Sequence, residues 1–156
     1  VFGRHGGSYG WSVPFANQVL DIIVNNHPNI YFLFQNTPIP FEHPQIKHIP
    51  VAADLDIKSK FISTCNAMIH ARTEGESFGC ACGEFAVMNK RIITYSLSKD
   101  RNHITLLGDK GIYYSNPQEM YDSIVTFKYE PDKDWNGYYN YNPERIMKVF
   151  DEVFLK

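Results

Sequence analysis

The sequence is poor in several features that would fix a function class at once. Three cysteines in 156 residues, an odd and small number, argue against a disulfide scaffold and for a reducing compartment such as the cytoplasm. No apolar run approaches the roughly 20 residues that a membrane-spanning helix requires. Lys and Arg are scattered and the formal net charge is −2, so there is no basic footprint for nucleic acid or an anionic membrane. Internal repeats and low-complexity segments are absent. The glycines of His5-Gly6-Gly7-Ser8-Tyr9-Gly10 miss the G-x-G-x-x-G spacing of a dinucleotide fingerprint. Cys80 and Cys82, two apart on a helix, point to nearly opposite sides. No His or Cys cluster completes four ligands around them, so no metal site is expected. The chain opens on Val1 rather than Met and is expected to be a piece of a longer polypeptide.

What remains is an alternation of strand and helix patterns. Val1–Arg4 reads as a short strand before the glycine turn, and a helix from about Pro14 carries Phe15, Val19, Ile22 and Ile23 on one face. Ile30–Phe34 is a continuous apolar run, as expected for a strand buried on both faces. A Pro-rich connection over 37–44 leads to a short strand over Ile46–Val51. Asp54 is placed to cap a helix bearing Ile57, Phe61, Ile62 and Cys65, and Ala67–Ala71 follows as a strand. A helix reaching about Asn89, a strand over Ile92–Tyr95, a short helix around Ile104–Leu107 and a strand over Ile112–Tyr114 come next. Asn116-Pro117-Gln118-Glu119 combines an N-cap, Pro at N1 and Glu at N3, opening a helix with Met120, Tyr121, Ile124, Val125 and Phe127. About six βα alternations predict a doubly wound, mostly parallel α/β sheet with helices on both faces, a Rossmann-like domain over 1–128. The tail, 129–156, differs: a polar then tyrosine-rich segment, and a last helix from Asn142-Pro143-Glu144 with Ile146, Val149, Phe150 and Val153 on one side. That helix is expected to pack by its apolar face on the same domain or on a missing N-terminal one.

The chemistry concentrates in Glu74–Glu84, a strand-to-helix junction with Glu76 and Glu84 eight positions apart. A helix starting near Cys80 offers free N–H groups and the positive end of its dipole, which suits a phosphate. Glu84, one turn in, has acceptor oxygens suited to a pair of sugar hydroxyls, and Glu76 on the loop suits a second polar part of the same ligand. Equally compatible with composition alone is a glutamate that complements the dipole beside a solvated loop glutamate. Glu74 is expected to have no role. His5 is open between phosphate contact and a solvated turn, His103 is expected to cap a helix or lie at the surface, and His70 to be a hydrogen-bonded structural histidine. The tail tyrosines are expected to pack rather than to stack bases.

Glu76-Ser77-Phe78-Gly79, four small residues and Glu84 resemble the Glu-x7-Glu signature of retaining glycosyltransferases of the GT-B fold, group 1 or family 4 type, with Ser77 in place of the usual glycine. Gly3-Arg4 resembles the Gly-Arg opening that family's C-terminal domain, Phe61–Cys65 before Ala67–Ala71 its surface helix and buried strand, Asn89–Ile93 its Gly-Lys-Pro-Val-Ile, and Gly111–Tyr113 its late glycine and strand. The resemblance runs in order over roughly residues 1–127. It implies a donor-binding domain of a hexosyltransferase using a nucleoside diphosphate sugar, with no cofactor and no metal. Glu76 would contact the donor sugar and Arg4 would neutralise the diphosphate. Glu84 would bind ribose. The amides around Ser77, Phe78, Gly79, Cys80 and Ala81 would hold sugar and diphosphate, with His5, Gly6 and Gly7 beside them. The acceptor would come through a missing N-terminal domain, so the isolated domain should turn over little. One departure stands out: the family's lysine about six residues after the arginine is Gly10 here, and no lysine precedes Lys47. A sugar-nucleotide epimerase of the same fold, or a non-catalytic interaction domain, would carry much of the same pattern.

Overall fold

The structure is a computed structural model that describes residues 1–7, 10–50 and 54–155. Ser8 and Tyr9 of the glycine turn, and Val51 at the end of the expected third strand, lie outside the described residues, as do Ala52, Ala53 and Lys156. In chain order the elements are β1 (Phe2–His5), α1 (Ala16–Asn26), β2 (Phe32–Gln35), β3 (Ile46–Ile49), α2 (Leu55–Thr64), β4 (Ala67–His70), β5 (Gly75–Glu76) and α3 (Cys80–Val87). They continue as β6 (Arg91–Tyr95), β7 (Asp100–Arg101), α4 (Asn102–Leu107), β8 (Ile112–Tyr114), α5 (Pro117–Val125) and α6 (Pro143–Phe154).

Six strands form one sheet in the order β3-β2-β1-β4-β6-β8, every pairing parallel. This is a Rossmann-like α/β sheet, wholly rather than mostly parallel. Side chains alternate across it with the period of two that strands impose. On β4, Ala67 and Ile69 join the layer containing Leu20, Ile23, Met120 and Ile124 of α1 and α5. Met68 between them joins Phe61 and Ile62 of α2 and Phe85 of α3 on the other face. Phe61 and Phe85 meet edge to face, centroids 5.9 Å apart, the arrangement their ring quadrupoles favour.

Local chemistry sets the helix starts. The Asp54 carboxylate accepts from Asp56 N at 2.7 Å, and the Asn116 side chain accepts from Glu119 N at 3.0 Å, each satisfying one orphan donor of a first turn. Pro14 stays outside α1, which begins at Ala16 with Phe15 in the capping position. The buried stripe of α1 is Ala16, Val19, Leu20, Ile23 and Val24, whereas Ile22 is 43% exposed. Ile57 of α2 is likewise turned out. In α1 the sheet takes Ala16, Leu20 and Val24 with Val19 and Ile23, so the buried stripe is turned away from Ile22; in α2 Phe61, Ile62 and Cys65 are buried as expected and only Ile57 is not.

Two-residue strands β5 and β7 pair parallel beyond the ends of β4 and β6, a pairing the sequence pattern did not suggest. Gly75 permits it: its φ is 74°, and a Cβ there would stand 1.8 Å from the Asp100 carbonyl oxygen, so only glycine fits.

The tail first runs back over the domain. The Asn89 side chain donates to the carbonyls of Pro131 and Lys133 and accepts from Trp135 N, and Lys110 pairs with Asp134 at 2.6 Å. Tyr138 is buried against Gly83 of α3 and donates to the Phe78 carbonyl at 2.6 Å. The final helix, α6, is different. Ile146, Val149, Phe150 and Val153 fall on it as expected, but all are exposed in this chain. No helix of the described residues is long and apolar enough to cross a membrane.

The face assignment of α1 is testable by paired truncations. Leu20→Ala should cost about 2–5 kcal/mol, the range for a buried leucine, and Ile22→Ala should stay within about 0.5 kcal/mol. Urea unfolding of both variants decides it; equal losses would mean that the stripe is misplaced.

Candidate functional site

Strand order reverses between β1 and β4, because β1 pairs with β2 on one side and β4 on the other. In such sheets the connections leave in opposite directions at this point and open a crevice at the carboxyl ends of the strands. A cavity of about 380 Å³ lies there. Every residue nominated from the sequence lines it: Arg4 and His5 at the end of β1, Gly6 and Gly7 after it, then Glu76, Ser77, Phe78 and Gly79 before α3 and Cys80, Ala81 and Glu84 in it. Asn36 and Arg72 also line it, and neither was nominated. A larger concavity of about 500 Å³ touches Arg91 and Ile112, the first residues of β6 and β8. It therefore lies at the amino ends of the strands, away from the switch point.

The α3 start is open. Its cap is Gly79, with φ 81° and no side chain to accept from the first amides, so the N–H groups of Cys80–Cys82 have no intrahelical partner. Glu84 sits one turn in. Its Oε1 accepts from Lys58 Nζ of α2 at 2.8 Å, and its Oε2 lies 3.7 Å from His5 Nε2. Burial holds His5 below the ordinary imidazole range, so at neutral pH it faces Glu84 as a neutral ring.

Arg4 is a buried cation. It is 3% exposed, its Nη1 donates to the His5 carbonyl at 2.8 Å, and its Nε has no partner among the described residues. Desolvation lowers its pKa to about 10, which leaves it charged at neutral pH. The Gly6 backbone crosses directly over the guanidinium, where a Cβ would come within 2.9 Å of Nη1 and Nη2. A side chain at that position would push against the charge.

Glu76 is held by two donors on one oxygen. Arg72 Nη1 donates to Oε1 at 2.7 Å and His70 Nε2 lies 3.2 Å from the same atom. Hydrogen bonding from His70 is the main cause that lowers the Glu76 pKa, with burial opposing it. His70, 1% exposed, is pushed down to about 4, chiefly by desolvation, and is neutral at pH 7.

Behind Glu76 runs a buried polar chain. His70 and Thr94 are register partners on β4 and β6, which brings His70 Nδ1 to 2.9 Å from Thr94 Oγ1. Thr94 Oγ1 is in turn 3.1 Å from His103 Nε2. With His70 neutral and its Nε2–H given to the carboxylate, one proton assignment satisfies the chain. Thr94 donates to His70 Nδ1 and accepts from His103 Nε2–H. His103 Nδ1 is then a buried lone pair without a partner among the described residues. His103 is thus neither a cap nor a surface residue: Arg101 occupies the cap of α4, and His103 is 0% exposed. Tyr114 Oη of β8 donates to the His70 carbonyl at 3.1 Å, tying a third strand to the same residue.

Glu74 points elsewhere. It accepts from Ser12 Oγ at 2.7 Å and from Thr73 Oγ1 at 3.0 Å, hydrogen bonds that draw its pKa down to about 2. Cys82 is a buried thiol, pushed up to about 12 by desolvation. Among the described residues, no three of His, Cys, Asp and Glu come together to hold a metal ion.

No protein-family model and no curated protein matches the sequence. Solved structures do match in fold. Anabaena Alr3699/HepE in complex with UDP and glucose aligns with a TM-score of 0.61 at 14% identity. The same protein in complex with UDP-glucose aligns at 0.60 and 15%. Each alignment covers 98% of this chain and 44% of the other, so the chain spans less than half the length of the structures it resembles.

The neutral, buried His70 makes stability depend on pH. Its folded pKa of about 4 lies below the ordinary 6.5, so the unfolded chain binds the extra proton first and stability falls as pH drops from about 6.5 toward 4. The loss at pH 5 is about 2 kcal/mol from His70 alone, and the lowered His5 and His103 add in the same direction. Urea midpoints at pH 7.5 and 5.0 measure this. His70→Gln should be less stable at pH 7.5 yet lose less over the interval; parallel profiles would remove His70 as the cause.

Proposed function

We propose that the chain is the donor-binding domain of a GT-B-type glycosyltransferase, taking a nucleoside diphosphate sugar at the β1–β4 switch point. The observation that carries this reading is one cavity lined by an uncapped helix start, a buried arginine under the Gly6 backbone, and two carboxylates, Glu76 and Glu84. Diphosphate requires the first two features, and sugar and ribose hydroxyls require the third. The fold likeness to Anabaena HepE, crystallised with UDP and glucose and with UDP-glucose, supports the choice of ligand class.

In this reading the α3 amides and the Gly6–Gly7 turn take the diphosphate, with Arg4 acting from beneath through its charge. As the bond from the anomeric carbon to the leaving phosphate breaks, negative charge grows on the diphosphate. Fixed donors in a partly dry pocket stabilise that charge most where it develops. Glu76, kept ionised by His70, is an acceptor for a sugar hydroxyl near the reacting carbon, and Glu84 is the acceptor for ribose. Transfer of a hexose with retention, without metal, follows the resemblance of the Glu76–Glu84 stretch. The acceptor would be presented by a second domain across the cleft, so the isolated chain should bind donor but turn over little.

Titration with UDP, GDP and ADP and the matching nucleotide sugars, followed by amide spectra, tests the reading. At least one should perturb Gly6, Gly7 and Cys80–Cys82 at millimolar concentration or below; silence from all of them sinks it. Glu84→Ala should weaken the ligand that binds by roughly 1–3 kcal/mol, the scale of hydrogen bonds to a charged group. An unchanged affinity would remove the ribose role.

A further inference from the structure

We propose that Arg72 is the cation that directly contacts the diphosphate, standing where the sequence has no lysine, and that it is parked on Glu76 until the ligand arrives. The inference rests on the donor-domain reading above and deepens it.

Charge on the cavity surface is the starting point. Among the described residues, two formal cations line the cavity, Arg4 and Arg72. Arg4 lies under Gly6 at 3% exposure and offers little surface to a ligand. Lys58 is near but is held on Glu84 at 2.8 Å and does not line the cavity. The Arg72 side chain, by contrast, is 37% exposed. Its one hydrogen bond among the described residues is from Nη1 to Glu76, which leaves four of the five guanidinium N–H groups open. A guanidinium fork matches two phosphate oxygens in a way that an ammonium does not. Its backbone is anchored, since Ser98 Oγ donates to the Arg72 carbonyl at 2.8 Å, so the side chain can move without the loop.

The doubly bonded oxygen of Glu76 makes the exchange inexpensive. Oε1 accepts from both Arg72 and His70. When Arg72 turns to a phosphate, His70 Nε2–H still satisfies the carboxylate, so no buried charge is orphaned. The same movement uncovers Glu76 for the sugar. A ligand would thus arm both ends of its own site, exchanging a carboxylate partner for a diphosphate.

The experiment is a double-mutant cycle on the same chain, with UDP, GDP and ADP as probes and calorimetry as readout. Arg72→Gln should weaken the diphosphate that binds the wild type at least tenfold, with the amide spectrum retained. Glu76→Gln should tighten the free diphosphate threefold or more, because it releases Arg72, and this gain should largely disappear in the Arg72→Gln background. A structural role alone gives neither the gain nor its disappearance. Affinity of Arg72→Gln within twofold of wild type, or the same Glu76→Gln gain in both backgrounds, overturns the proposal and leaves the donor-domain reading standing. If the wild type binds none of the three probes, the donor-domain reading fails and this proposal fails with it. Should Arg72→Gln not fold, Arg72→Met takes its place, and failure of both to fold identifies a structural residue and overturns the proposal.

Discussion

The structure depends on β1 being paired on both edges, Phe2 against Phe32 on one side and Ala67 on the other. A strand in that place is buried on both faces, and its connections must diverge. Its last residues are delivered to the crevice between β1 and β4. The residues delivered are Arg4 and His5. Burying a guanidinium is costly in general, and the lowered pKa of Arg4 is the trace of that cost. A fold indifferent to ligand would gain by placing an apolar residue there. The cation instead lies under Gly6 and lines the same cavity as the uncapped start of α3.

The second constraint is that carboxylates near such a floor must stay both ionised and aimed. Glu76 achieves this through the sheet. His70 ends β4 facing Thr94 of β6, and His103 closes the chain from α4. Each member fixes the tautomer of the next, and the burial that lowers His70 also keeps the chain neutral behind the one charged end. Tyr138 contributes from the tail, covering Gly83 and fixing the Phe78 carbonyl. The polar interior is therefore assembled from three strands, two helices and the tail.

That assembly explains which parts were legible in the sequence. Strands β4, β6 and β8 and the caps Asp54 and Asn116 were readable, because short apolar runs and Asx capping residues act locally. Glu76 and Glu84 were readable as carboxylates at a strand-to-helix junction, Arg4 only through resemblance to a family pattern, and all three line one cavity. The buried face of α1 was not, since Ile22 and Leu20 satisfy neighbouring versions of one period and only the sheet chooses between them. Pairing of β5 with β7 carries no periodic signal at two residues each. His103 looked like a surface residue because nothing local reveals that Thr94, nine residues earlier, and His70 pack against its ring. Arg72 and Lys58 were missed for the same reason. The partner of Lys58 lies 26 residues on and that of Arg72 only four, but in a loop with no periodic pattern to pair them, and a lone cation in a loop or on a helix face looks solvated.

Charge balance connects these pieces. Around the cavity Arg4, Arg72 and Lys58 face Glu76 and Glu84, one formal positive charge in excess, with the α3 dipole adding to it. Each carboxylate already has a cation of its own, Arg72 for Glu76 and Lys58 for Glu84. A neutral ligand would have to break these pairs without compensation. An anionic group gives Arg72, the cation of the two that lines the cavity, a second partner and frees Glu76 to accept from a hydroxyl, while Lys58 stays on Glu84. Under the proposed function, the Arg72–Glu76 pair favours a molecule that carries negative charge for the one and a hydroxyl for the other. That preference comes from the ion pair itself and would hold whatever base or sugar is attached.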